Sequence, residues 1–170
     1  MISKIDVYAS NMIIGIDPGK SGGMAIIKWG NTVKNTKICT AFKCPQTIDE
    51  MSSFIKMLQK DAAYITCYLE NVHAFPTDGR SSAFKFGVNF GVWQGILSSF
   101  DIKTELVTPR TWQSAYGKLP KIKKDRKNMI KEIATKETGI KSTLATADAI
   151  CIALYGYNIK KESHGKWGVK

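Results

Sequence analysis

Met12-Ile-Ile-Gly-Ile16 is an unbroken apolar run that stops on an acid, Asp17, followed at once by Pro18 and Gly19. A short apolar run bounded by turn residues reads as a buried strand, so Asp17 sits where the chain leaves the sheet. Aspartates in such places are rare unless something pairs with them. The pattern returns. Tyr64-Ile-Thr-Cys-Tyr-Leu69 ends on Glu70, and Asp148 lies in Leu144-Ala-Thr-Ala-Asp-Ala-Ile-Cys-Ile-Ala-Leu154, a helical stretch otherwise apolar on nearly every side. Any one of these acids could be a helix cap or a satisfied polar group. Three at element ends favour a shared site.

The rest of the chain supplies the frame for that site. Gly22-Gly23 turns the first strand back into a second, Met24 to Trp29, and Thr32 to Phe42 is β-compatible as a third. Thr47 can cap a helix whose apolar positions Met51, Phe54, Ile55 and Leu58 recur at three and four. A long helix is expected from about Ser81 to Phe100, then a short strand over Lys103 to Val107 and a helical turn starting at Pro109. Further helices are expected over Lys123 to Glu137 and Thr143 to Tyr157, with a mobile lysine-rich tail from Lys160. Residues 1–11 read as a polar leader. A meander of three strands followed by alternating helices and strands indicates one α/β domain with a mixed sheet, its ligand edge at the strand ends.

Lys and Arg number 25 against 14 Asp and Glu, a formal charge of +11, which points to a polyanionic partner. No apolar run approaches the roughly 18 residues needed to span a bilayer, so nucleic acid is preferred over a membrane. No signal-peptide h-region precedes Asp17, and Cys39, Cys44, Cys67 and Cys151 show no zinc spacing. The expectation is an intracellular, cytoplasmic protein with reduced structural thiols. Clustered carboxylates repel one another unless cations neutralise them, and hard oxygen donors suit Mg²⁺ or Mn²⁺. Two ions about 4 Å apart can stabilise both the attacking water and the departing oxygen at a phosphodiester. With the basic charge, this argues a nuclease.

The motifs, taken in order, are Ile14-Gly15-Ile16-Asp17-Pro18-Gly19, then Leu69-Glu70-Asn71-Val72, then Ser82-Ala83-Phe84-Lys85-Phe86-Gly87 with Gly91, and finally Ala147-Asp148-Ala149. This set resembles RuvC-type Holliday-junction resolvases of the RNase H-like superfamily, over about residues 12–157. The resemblance implies an RNase H-like fold, a five-stranded mixed β-sheet flanked by α-helices, and a homodimer. It implies paired nicking of four-way DNA junctions to leave 5′-phosphate and 3′-hydroxyl ends. Asp17 would bridge two Mg²⁺ ions, with Mn²⁺ able to substitute, and Glu70 and Asp148 would each hold one. The family usually carries a fourth acid or a histidine three residues before the last aspartate. Here that position is Ala145, so water would fill the vacancy and the second ion would bind more weakly.

The resemblance also places DNA contacts. His73 stands where the family carries an aromatic side chain that probes the opened junction, and Phe75 is close by. Lys118, Lys121, Lys123, Lys124, Arg126 and Lys127 put six cations into ten residues at a loop leading into a helix, suited to phosphates; Arg80 and Lys85 are secondary. Arg110 ranks with them, and Trp112 reads as core. Gly87, Gly91 and Gly95 recur every four residues on the long helix, each costing about 1 kcal/mol relative to alanine. Such a stripe serves close packing on the sheet or close approach of two subunits, and the resemblance favours the dimer. Gly15 to Ser21 is one residue short of a Walker A loop, so no nucleotide cofactor is expected. The alternatives are an RNase H-like nuclease with broader branched-DNA or RNA–DNA hybrid specificity, and a non-catalytic DNA-binding relative.

Overall fold

A single residue parity organises this molecule. The computed structural model describes residues 11–30, 37–71 and 79–165, with backbone only for 163–165. Strand β1 (Asn11–Asp17) pairs antiparallel with β2 (Gly23–Trp29), in a register that sets Ile13 against Ile27 and Asp17 against Gly23. Strand β3 (Ile38–Lys43) adds antiparallel to β2. On the other side of β1, β4 (Tyr64–Glu70) and β5 (Lys103–Val107) add in parallel, giving the order β3-β2-β1-β4-β5. Successive strand side chains point to opposite faces. Met12, Ile14 and Ile16 therefore join Met24, Ile26, Cys67 and Leu69 in one core, while Ile13 joins Ala25, Ile27 and Tyr68 in the other.

Helices cover both faces, as a central strand that is apolar from Met12 to Ile16 requires. The first core is closed by α1 (Ile48–Gln59) and α2 (Arg80–Ser99), which contribute Met51, Ile55, Leu58, Trp93, Ile96 and Leu97. Helix α1 starts in a capping box: the Thr47 hydroxyl accepts from the Glu50 backbone N–H, and the Glu50 carboxylate accepts from that of Thr47. The second core is closed by α3 (Pro109–Ser114), α4 (Lys123–Thr138) and α5 (Ala147–Gly165). Helix α5 lies directly on β1 and β2 because glycines face it. A Cβ at Gly15 would stand 2.4 Å from the Ala149 carbonyl oxygen and 2.5 Å from the Ala153 nitrogen, and one at Gly23 would stand 2.4 Å from the Ala145 carbonyl oxygen.

Three boundaries differ from the sequence reading. Strand β3 runs Ile38–Lys43, and residues 32–36 of the longer strand expected there lie outside the described residues. Helix α5 begins at Ala147 rather than Thr143, because residues 144–146 form a turn bonded back to Thr143. Its hydroxyl accepts from the Thr146 N–H, and its carbonyl accepts from that of Ala147. Helix α5 also continues to Gly165, so the mobile tail expected from Lys160 is helical through that residue. No glycine or proline interrupts residues 157–164, and charge alone does not end a helix. Among the described residues no helix is long and apolar enough to cross a membrane.

Candidate active site

The parity that builds the cores also aims the acids. Asp17 is in phase with Ile13 and Gly15, and Glu70 is in phase with Tyr68, so both side chains leave the sheet on the α5 face. The parallel register of β1 and β4 pairs Ile16 with Leu69, one step before the two acids, which puts Asp17 and Glu70 side by side at the C-terminal ends of neighbouring strands. Asp148 arrives from the first turn of α5. Its delivery depends on Gly15, because the bare backbone there lets Ala149 and Ala153 rest on β1 two residues from Asp17.

These carboxylates are not solvated surface groups. Glu70 and Asp148 are buried, with 6% of each exposed, and Asp17 is partly buried. Burial, then the charges of Glu70 and Asp148, push Asp17 from an ordinary 3.8 up to about 8. In that state its carboxyl shares a hydrogen bond with Glu70. Burial also raises Glu70, against an indole that stabilises its anion: Trp112 Nε1–H donates to Glu70 Oε1 at 2.8 Å. The third acid has a cation. Lys127 Nζ donates to Asp148 Oδ2 at 2.5 Å, while Asp148 Oδ1 is buried with no hydrogen-bond partner.

Hard anionic oxygens, two of the three side chains buried, and one orphaned carboxylate oxygen match the donor chemistry of Mg²⁺ or Mn²⁺. The acids are gathered without being closed: among the described residues no three His, Cys, Asp or Glu side chains stand close enough to enclose an ion. Ala145 lies before the start of α5, with its carbonyl packed against Gly23.

The cations divide by role. Lys118, Lys121, Lys123 and Lys124 are exposed at the entry to α4, beside the site through Lys127. Arg126 is turned back to the loop, donating from Nη1 to the carbonyls of Pro120 at 3.2 Å and Lys121 at 3.0 Å. Arg80 and Lys85 are exposed on the first turns of α2, where Phe86 reaches Gly19 in the loop after Asp17. Arg110 is exposed on α3. His73 and Phe75 lie outside the described residues. Gly87, Gly91 and Gly95 face away from the sheet, and a Cβ at any of them would meet nothing within 4 Å among the described residues. This excludes packing on the sheet as the reason for the stripe.

Two residues carry more of the site than their sequence positions announced. Trp112, expected as core, is fully buried and also binds Glu70. No sequence signal links residues 42 positions apart. Lys127, grouped with the phosphate-facing cations, reaches inward to Asp148 in this structure. There a signal existed: Lys127, Ile130 and Ala134 share one helical face, and the latter two are buried.

No family model and no curated relative matches the chain. Among solved structures, Thermus thermophilus RuvC superposes with a TM-score of 0.58 at 15% identity, covering 89% of this chain and 96% of that one. T. thermophilus RuvC in complex with Holliday junction substrate gives 0.56 at 16% identity, with the same coverage of each chain. At such identities the likeness is one of fold. The chain has the RuvC fold, a five-stranded mixed sheet of the RNase H-like kind flanked by helices.

Proposed function

We propose that this chain, built on the RuvC fold, is a divalent-metal-dependent endonuclease that resolves four-way DNA junctions by paired nicking, leaving 5′-phosphate and 3′-hydroxyl ends. The observation that carries the reading is the convergence of Asp17, Glu70 and Asp148 from two strand ends and one helix start, with an orphaned Asp148 oxygen among them. A purely structural cluster of three acids would be a liability, since burial and mutual repulsion hold Asp17 protonated up to about pH 8. Divalent cations convert that liability into binding energy. Asp17, Glu70 and Asp148 would hold Mg²⁺ or Mn²⁺, two ions per site, and the ions would supply Lewis-acid stabilisation of charge at the phosphate.

The chain's own residues do the rest. Trp112 orients Glu70 through the indole bond, which fixes which oxygen remains free to ligate. Lys118, Lys121, Lys123 and Lys124 neutralise phosphates on one flank of the acids, with Arg80 and Lys85 on the α2 flank. His73 and Phe75 would meet unpaired bases at the junction. With Ala145 offering no ligand, three protein carboxylates would hold the metal and water would complete the site.

A homodimer is part of this reading, since two symmetric nicks require two sites. It is supported by the outward stripe of Gly87, Gly91 and Gly95, flanked by Phe84 at 73% exposure and Val88 at 49%. The decisive experiment compares nicking of matched four-way, three-way, flap, duplex and RNA–DNA hybrid substrates in Mg²⁺ and in Mn²⁺, by the parent chain and by Asp17→Asn. The expected result is four-way junction cleavage that falls by at least about a thousandfold in the variant, with junction affinity retained. Cleavage of hybrids in preference to junctions would move the reading to an RNase H-like hydrolase, and full activity of Asp17→Asn would end it.

A further inference from the structure

Lys127 is the one cation among the described residues bonded to the acid cluster, and its position is unusual for a lysine. It stands on the second turn of α4, half-buried on the face that carries Ile130 and Ala134 into the core. Its ammonium takes one oxygen of Asp148 and leaves the other without a partner. A monovalent charge thus occupies one carboxylate oxygen in a cluster whose acids do not yet close around an ion.

We infer that Lys127 is the resident counter-ion of the carboxylate site, holding Asp148 in the metal-free chain and releasing it when a divalent ion enters. The inference rests on the nuclease reading for its purpose but on the Lys127–Asp148 geometry for its content. An ammonium and a divalent cation cannot share Asp148 at close range without strong repulsion, so one must leave. The lysine has somewhere to go. Lys123 and Lys124 lie one turn earlier on the same helix, at the four- and three-residue spacings that make neighbours, and both are exposed. A released Lys127 joins that pair at the mouth of the site, where a phosphate replaces the carboxylate as its partner. Metal loading and the appearance of a phosphate-binding cation are then one event.

The test is Lys127→Met, which keeps the unbranched stem and removes the charge, with Lys127→Arg as the conservative partner. Free Mn²⁺ is followed by its paramagnetic resonance signal during titration of the chain without DNA. Lys127→Met should bind Mn²⁺ about tenfold more tightly than the parent, because the competitor is gone. It should also melt lower than the parent in chelator, with the deficit erased by Mn²⁺, and nick junctions with a lower kcat. Tighter metal with slower nicking is a split that a merely structural salt bridge does not produce. Unchanged or weaker Mn²⁺ binding would overturn the inference and leave Lys127 as a tie between α4 and α5. If the methionine variant does not fold, ¹⁵N resonances of lysine ammonium groups in the parent, assigned with Lys127→Arg, decide. The Lys127 signal should shift on adding Mg²⁺, and a signal that stays in place overturns the inference. A parent chain that shows the competition yet cuts no DNA would sink the nuclease reading alone.

Discussion

On the α5 side of the sheet, Gly15 and Gly23 lie against backbone at distances where no Cβ fits, whereas on the outer side of α2, Gly87, Gly91 and Gly95 meet nothing among the described residues. The residue is the same and its energetics are opposite. A glycine in a strand loses side-chain packing, but at Gly15 that loss is what lets α5 sit on β1 and deliver Asp148 beside Asp17. On α2 the three helical glycines each cost about 1 kcal/mol in propensity with no contact in return within the described chain. One set of glycines seats α5 beside Asp17, and the other meets no compensating contact among the described residues; in the proposed homodimer a second copy would provide it.

The sharpest way to break the first half of this contrast is Gly15→Ala. A methyl at 2.4 Å from the Ala149 oxygen and 2.5 Å from the Ala153 nitrogen meets backbone, which cannot rotate away. The helix must lift, at a cost of about 3 kcal/mol or more. A drop of roughly 6–12 °C in the melting temperature is expected, with loss of junction nicking even where the variant remains folded. A melt within about 1 °C of the parent would show that α5 tolerates displacement and that the seat is not what positions Asp148.

Trp112→Phe sharpens the same half at smaller scale. It keeps most of the ring in the core and removes only the N–H bonded to Glu70. Metal affinity should fall about tenfold, as for other groups that orient ligands, with a modest loss of stability. Titration with Mn²⁺ measures it, and an unchanged affinity would reduce Trp112 to packing.

How far the sequence carried can be read from these same residues. Asp17 and Glu70 were legible because burial makes an acid at the end of an apolar strand conspicuous, and a period of two then sends both to one face. Asp148 was legible as an acid in an apolar helix. The pairing of Trp112 with Glu70 was not, since it arises only when α3 folds back over the end of β4. The bond of Lys127 to Asp148 was not foreseen because a run of six cations reads as one surface, although its helical phase with Ile130 pointed inward. The end of α5 was missed for a related reason: polar composition was taken as the end of structure, while helical backbone persists until something breaks it.

A third expectation concerns the charge confined on the α5 face. Asp17 has a folded-state value near 8 against about 3.8 when unfolded. Both states bind the proton below about pH 4. Between pH 4 and 8 the unfolded chain releases it and the folded chain does not, so the metal-free protein loses stability as pH rises across that window. Asp17→Asn carries no such charge and can still donate to Glu70. In chelator it should match the parent near pH 4 and melt higher than the parent near pH 8, with the gap opening as pH rises. A difference that stays constant with pH would mean that Asp17 is not held protonated.

The smallest effect tests the outer stripe, and its two readouts move in opposite directions. Gly91→Ala adds a methyl into open space on an exposed helix face, so within one chain it should add about 1 kcal/mol of stability through helix propensity. If two copies pack through this stripe, the same methyl separates their backbones and weakens association. Sedimentation equilibrium should then show a dimer that dissociates at lower concentration, while the melt of dilute protein rises by roughly 2–4 °C. Phe84 and Val88 border the stripe, so truncating Phe84 should weaken association without the gain in helix stability. A higher melt with unchanged association would leave the stripe as solvent-facing surface and send the search for the second subunit elsewhere. A weakened dimer with a higher melt identifies α2 as the place where the cost of its glycines is recovered.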